Sequence, residues 1–147
     1  MATQSGGVRA LLFERLAGCE PGSPPEARPF RVHDGEALRA SVAREVGRLL
    51  NTRVPPPAPG PAGRTVVDYG LADWTPAYAL DSGARAALEA EVRRSIEAFE
   101  PRLRRVQVRA EPVSGRERTL LIRIDAVLAV DGGEEPFSFP VRVGSED

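Results

Sequence analysis

The hydrophobic period of this chain changes at "FEPRLRRV", residues 99–106, and the change limits what it can fold into. Before Pro101 apolar residues recur at helical spacing, and after it they alternate. Proline pushes the residue before it out of the helical region, so the helix stops at Glu100. Helices that come first and strands that come last must bury an apolar stripe against an apolar sheet face.

The alternating half reads as a meander. "VQVRA" puts Val106, Val108 and Ala110 on one side, with Gln107 and Arg109 on the other. "SGRERT" is a turn, and "TLLIRIDAVLAV" sets Leu120, Ile122, Ile124, Ala126, Leu128 and Val130 inward. After a second turn, "DGGEEP", the stretch "FSFPVRV" turns Phe137, Phe139, Val141 and Val143 inward. Short turns imply antiparallel neighbours. Pro140 cannot donate to a ladder, which places the last strand at an edge.

The helical half has two long segments. One runs from Asp34 or Gly35 to Asn51, with Asp34 as N-cap and Leu38, Val42, Val46, Leu49 and Leu50 on one face. The other runs from about Gly83 to Phe99 and is capped by Asp81 or Ser82, with Leu88, Val92, Ile96 and Phe99 as its stripe. The expected fold class is α+β. Two amphipathic helices pack on one face of a three- to four-stranded, mainly antiparallel sheet, preceded by a short N-terminal docking helix.

That leading helix lies in "RALLFERLAG", with Leu11, Leu12, Phe13 and Leu16 apolar and Gly18 ending it. Two turns are too short to be stable alone, so the piece packs on its own domain or docks into a partner. A Pro/Gly-rich linker from Cys19 to Phe30 favours docking. Residues 1–33 are therefore read as docking helix and linker, and 34–147 as one domain. The five prolines between Pro55 and Pro61 read as a stiff surface loop. Residues 66–83 read as mostly loop, anchored by Tyr69, Leu71, Trp74 and Tyr78.

Composition excludes several functions. The net charge is -1, and all 20 basic residues are arginine, so the charge gives no pull toward nucleic acid or anionic lipid. Cys19 is the lone cysteine and His33 the lone histidine, which leaves no disulfide and no zinc cluster. No signal peptide or membrane span opens the chain, and a cytoplasmic location with no cofactor is expected.

Several pieces occur in a telling order: "LLFERL", "SVAREVGRLLNTR", "VVDYGLADW", "RRSIEAFEPRL", then the meander. Together they resemble TssE, the baseplate subunit of the bacterial type VI secretion system. That family is similar to the wedge protein of contractile phage baseplates, long labelled lysozyme-like. The resemblance spans about Leu11 to Val143, and "LLNTR", "DYGL" and "FEPRL" are its most specific parts. It implies a structural part of a contractile injection machine, in a wedge with TssF and TssG. It further implies that the sheath of TssB and TssC starts to polymerise here by strand sharing. Glu100, Pro101, Arg102, Arg123 and Arg142 are then the candidate sheath-assembly residues. Leu11, Leu12 and Leu16 are the candidate wedge-docking residues.

The older label supplies the rival reading, a peptidoglycan hydrolase. Glycoside hydrolysis needs two carboxylates across a sugar cleft, one of them holding a proton. Glu100 has Arg102 two residues on, and a guanidinium favours an ionised carboxylate. Asp68 and Asp73 have no recognisable counterpart, and aromatic residues are few. The sequence thus favours an organising ion pair over an enzyme. The partner of Arg102 stays open between Glu100, another internal acid and a sheath residue.

Overall fold

The computed structural model describes residues 8–9, 32–33, 35–55, 65–72, 81–114, 116–130 and 133–144. The expected docking helix with Leu11, Leu12 and Leu16, the Cys19–Phe30 linker, the Asp34 cap, most of the proline run, and Asp73, Trp74 and Tyr78 lie outside the described residues.

The α+β expectation is met. Two short strands, β1 (Val8–Arg9) and β2 (Val32–His33), pair antiparallel ahead of the first helix, α1 (Gly35–Asn51). Next come β3 (Arg53–Val54), a 3-10 turn (Val66–Asp68) and β4 (Leu71–Ala72). The second helix, α2 (Ser82–Phe99), leads into the meander of β5 (Leu103–Val113), β6 (Arg116–Val130) and β7 (Gly133–Gly144). The meander has the order β5-β6-β7 and both pairings are antiparallel.

Each helix forms for the reasons its sequence carries. Leu38, Val42, Val46, Leu49 and Leu50 of α1 are buried at three- and four-residue spacing, with Arg39, Arg44 and Arg48 exposed. Asp81 caps α2: its carboxylate accepts from the Gly83 N–H (3.2 Å) and the Ala84 N–H (3.1 Å). Leu88, Val92 and Ile96 then face the sheet.

The strands answer with period two. Leu120, Ile122, Ile124, Ala126 and Leu128 of β6 are buried, as are Phe139, Val141 and Val143 of β7. The register sets Ala110, Ile122 and Val141 in one line across the sheet. The α1 helix covers the β7 side of this face and α2 the β5 side. The opposite face carries Gln107, Arg109, Arg123, Ser138 and Arg142.

Two features depart from the sequence reading. The first meander strand begins at Leu103, not Val106. A bulge between Arg104 and Gln107, with Arg105 at φ 53°, leaves two exposed residues between buried Leu103 and Val106. The loop containing "VVDYGL" also holds structure: β4 pairs in parallel with β3, Arg53 opposite Leu71 and Val54 opposite Ala72.

Candidate functional site

Glu100 and Arg102 face each other inside the corner. Glu100 is the C-cap of α2, and its N–H donates to the Ile96 carbonyl at 2.8 Å. Pro101 stops the helix there, so the chain turns and Arg102 comes back over the Glu100 side chain. Glu100 Oε1 accepts from Arg102 Nε (2.7 Å) and from the Arg102 backbone N–H (3.2 Å), while Oε2 accepts from Nη2 (2.6 Å). This is the fork geometry that suits arginine. Only 5% of the Glu100 side chain and 12% of the Arg102 side chain reach solvent.

The corner ties four elements together. Arg102 Nη1 donates to Ser41 Oγ on α1 (3.2 Å), and the Arg102 carbonyl accepts the Ala129 N–H of β6 (2.9 Å). Ser41 is fully buried, a serine that helical periodicity alone does not single out. The next arginines leave the corner: Arg104 and Arg105 both pair with Glu134 at the start of β7.

The three most specific sequence stretches meet at this corner. Leu49, Tyr69, Phe99 and Pro101 join Glu45, Glu100 and Arg102 around a hollow of about 90 Å³. Tyr69 packs edge-on against Phe99, with ring centres 5.4 Å apart. Asn51 bonds the Gly47 carbonyl (2.9 Å) and the Arg142 carbonyl of β7 (3.1 Å). Asp68 closes its own turn by accepting from the Thr65 N–H (2.7 Å) and hydroxyl (3.0 Å). Glu45 is a second carboxylate of the hollow, held by Arg48 at 2.7 Å.

Burial pushes the Tyr69 phenol above its ordinary value of 10.0. Glu45 and Glu100 add to the rise and Arg48 opposes it. The folded protein therefore holds this proton more tightly than the unfolded chain does. The associated stability is complete below about pH 10 and is lost as pH climbs through the folded value. In a Tyr78→Phe background, ultraviolet titration of Tyr69 is expected to show a midpoint above 10.0. A midpoint at or below that value would show the ring to be solvated.

Arg123 and Arg142 lie elsewhere, exposed on the sheet face turned away from both helices. Arg123 sits opposite Pro140 and Arg142 opposite Leu121, which makes the two arginines diagonal neighbours. Arg109 lies directly across from Arg123. The five candidate assembly residues therefore form two groups, one inside the corner and one on the open face.

The two sheet edges differ. On β7 the Arg142 carbonyl turns outward to Asn51, so by alternation Pro136, Ser138 and Pro140 also point outward. Two of those four residues have no N–H to offer. On β5 the Ala110 N–H turns outward and donates to Glu89 Oε1 of α2 at 2.8 Å. Val108 points the same way, two residues back.

Among the described residues, no helix is long and apolar enough to cross a membrane. No group of His, Cys, Asp or Glu among them is placed to hold a metal ion.

Comparison with known proteins gives a family match over most of the domain. The model of the family described as baseplate wedge protein gp25 matches residues 36–132. That range takes in α1, the corner, β5 and β6. A crystal structure from Geobacter sulfurreducens, provisionally described as a tail lysozyme, is 18% identical with a TM-score of 0.48. The match covers 80% of this chain and 99% of that one. No curated protein matches the chain.

Proposed function

This chain belongs to the baseplate wedge protein gp25 family, and from that premise we propose that it joins a baseplate to the first ring of a contractile sheath. The machine in this reading is a type VI secretion system, with the wedge subunits TssF and TssG on one side and the sheath proteins TssB and TssC on the other. The place of work is the cytoplasm. The observation that carries the reading is the family match over residues 36–132.

The work is templating. Sheath subunits that share strands must first find a sheet edge in the right orientation, and an unpaired edge supplies N–H and C=O groups for that purpose. A folded edge held on a baseplate removes the need to form that first acceptor from free subunits. No bond is made or broken, and no cofactor is required. The buried Glu100–Arg102 pair fixes the angle at which the sheet leaves α2. It acts by positioning the meander. Arg123 and Arg142 on the open face are proposed to meet the sheath directly.

The hydrolase reading is the weaker one. Both carboxylates of the corner hollow are tied to arginines, Glu100 to Arg102 and Glu45 to Arg48. The hollow, about 90 Å³, is well below the ~300–1,000 Å³ of ordinary ligand sites. Purified cell walls incubated with the full-length chain should release no soluble fragments. Release that disappears in Glu100→Gln would replace the structural reading by an enzymatic one.

Leu11, Leu12 and Leu16 are proposed to grip the wedge. The tagged full-length chain recovered from source cells should carry TssF and TssG with it. Changing all three leucines to glutamate should release both while the melting temperature stays put. Retention of the wedge subunits by that folded variant would place the contact elsewhere.

A further inference from the structure

The meander face turned away from both helices carries more apolar surface than a solvated face needs. An antiparallel sheet with one side in water alternates apolar and polar residues, with the polar ones outward. On β6 the outward residues are Leu121, Arg123, Asp125, Val127 and Ala129, and the three apolar ones are only half-buried. We propose that an amphipathic helix of a sheath subunit lies along β6 on this face. Its apolar stripe rests on Val127 and Ala129, and its carboxylates reach Arg109, Arg123 and Arg142. The proposal rests on the baseplate reading, in which Arg123 and Arg142 meet the sheath. It adds the kind of element they meet and the charge pattern of that element.

Charge supplies the first argument. Arg109 stands directly across from Arg123, and Arg142 is diagonal to Arg123. Like charges directly opposite one another are unfavourable. All three arginines are exposed, and none has an ion pair among the described residues. The acids of the same face leave them so. Asp125 accepts the Ser138 hydroxyl, and Glu111, opposite Leu121, pairs with no arginine among the described residues. A carboxylate from outside would offset the repulsion, and arginine grips a carboxylate with two hydrogen bonds. A cluster that costs the isolated chain stability is what a binding surface often retains.

Shape supplies the second. The apolar residues follow one strand. Beside them β5 places Gln107, and β7 places Glu134 and Ser138 around Pro136. A second sheet would need apolar residues on the flanking strands too, because both inner faces of a sandwich are apolar. A single helix has a stripe narrow enough for this strip. Val127 and Arg123 are separated by about 14 Å along β6, and a helix covers that in roughly nine residues. The sheath helix therefore carries its carboxylates about two and a half turns from its apolar patch. A second copy of this chain, docked through the same face, would bring further arginines instead of the acids required.

The test uses the full-length chain in source cells with a fluorescent sheath protein. Arg123→Thr removes one of the like charges and supplies a residue that favours strands. Its melting temperature should equal or exceed that of the wild type, while sheath number falls. With Arg109→Thr and Arg142→Thr added, the fall should reach roughly tenfold. A melting temperature that drops with each arginine removed would make the cluster structural and overturn the proposal. Normal sheath number in the folded triple variant, with none in a deletion strain, would overturn the helix site and leave the baseplate reading standing. Normal sheaths in the deletion strain would overturn both. Position is tested separately, with a photo-crosslinking amino acid in place of Val127. It should attach to a sheath protein, within a segment that has apolar residues at helical spacing and acids about nine residues away. Attachment to a wedge subunit, to residues 1–33, to a second copy or to an extended sheath segment would overturn the proposal.

Discussion

Arg102→Ala is expected to lower the unfolding free energy by about 3–5 kcal/mol, because it leaves the buried Glu100 carboxylate without its cation. The Arg102 side chain donates three hydrogen bonds in the corner, two to Glu100 and one to Ser41. Removing that side chain leaves Glu100, among the described residues, with the Arg102 backbone N–H as its remaining side-chain hydrogen-bond donor. Urea unfolding of the full-length chain measures the loss as a shift in midpoint at constant slope. A companion variant separates packing from charge. Buried ion pairs replaced by apolar groups of similar size are often neutral in stability. Glu100→Leu combined with Arg102→Met should therefore recover most of the loss. A change within ~0.5 kcal/mol for Arg102→Ala would put the pair among ordinary surface contacts.

Gly70→Ala is expected to cost about 2–4 kcal/mol, from backbone strain and a lost hydrogen bond together. Gly70 has φ +138°, a conformation that side chains resist. A Cβ there would lie 2.5 Å from the Thr52 carbonyl oxygen. That same oxygen accepts the Leu71 N–H at 2.9 Å, so moving it away opens the β3–β4 pair. Leu71 is buried, and Ser95 of α2 donates to the Gly70 carbonyl at 3.3 Å, so the damage reaches the core and α2. Gly133→Ala is the control. Gly133 has φ +158°, but a Cβ there meets nothing within 4 Å. Its cost should be clearly smaller in the same urea experiment. Equal costs for the two variants would show that the close approach to Thr52 contributes nothing.

Much of this fold is legible because its core is periodic. Leu38 to Leu50 and Leu88 to Ile96 mark helix faces, and Leu120 to Leu128 marks a strand with one buried side. Legibility fails where period fails. Leu103 is buried, yet the Arg105 bulge shifts it out of step with Val106, so the first meander strand reads short. The β3–β4 pair has two residues per strand, too few to display any alternation.

The corner was half legible. The family resemblance at "FEPRL" implies an organising pair and leaves the partner of Arg102 open, and the structure closes the pair on Glu100. Ser41, Asn51 and Glu89 carried no such signal. Each is a polar residue on a helix, and its role appears only once the strand opposite it is in place. A serine fully buried in α1, or a glutamate aimed at a strand edge, needs the tertiary fold to be seen. Arg123 and Arg142 show the other side of that limit: strand alternation alone turns both outward, and the sheet sets them on the face away from the helices.

The most direct test of the central claim is sheath assembly in living cells. A fluorescent sheath protein is followed in wild-type cells, in cells lacking this chain, and in lacking cells given the full-length chain back. The account predicts sheaths in the first, none in the second and recovery in the third. Sheaths of normal number and length in the second would contradict it, because a part that starts the sheath cannot be absent while the sheath still forms.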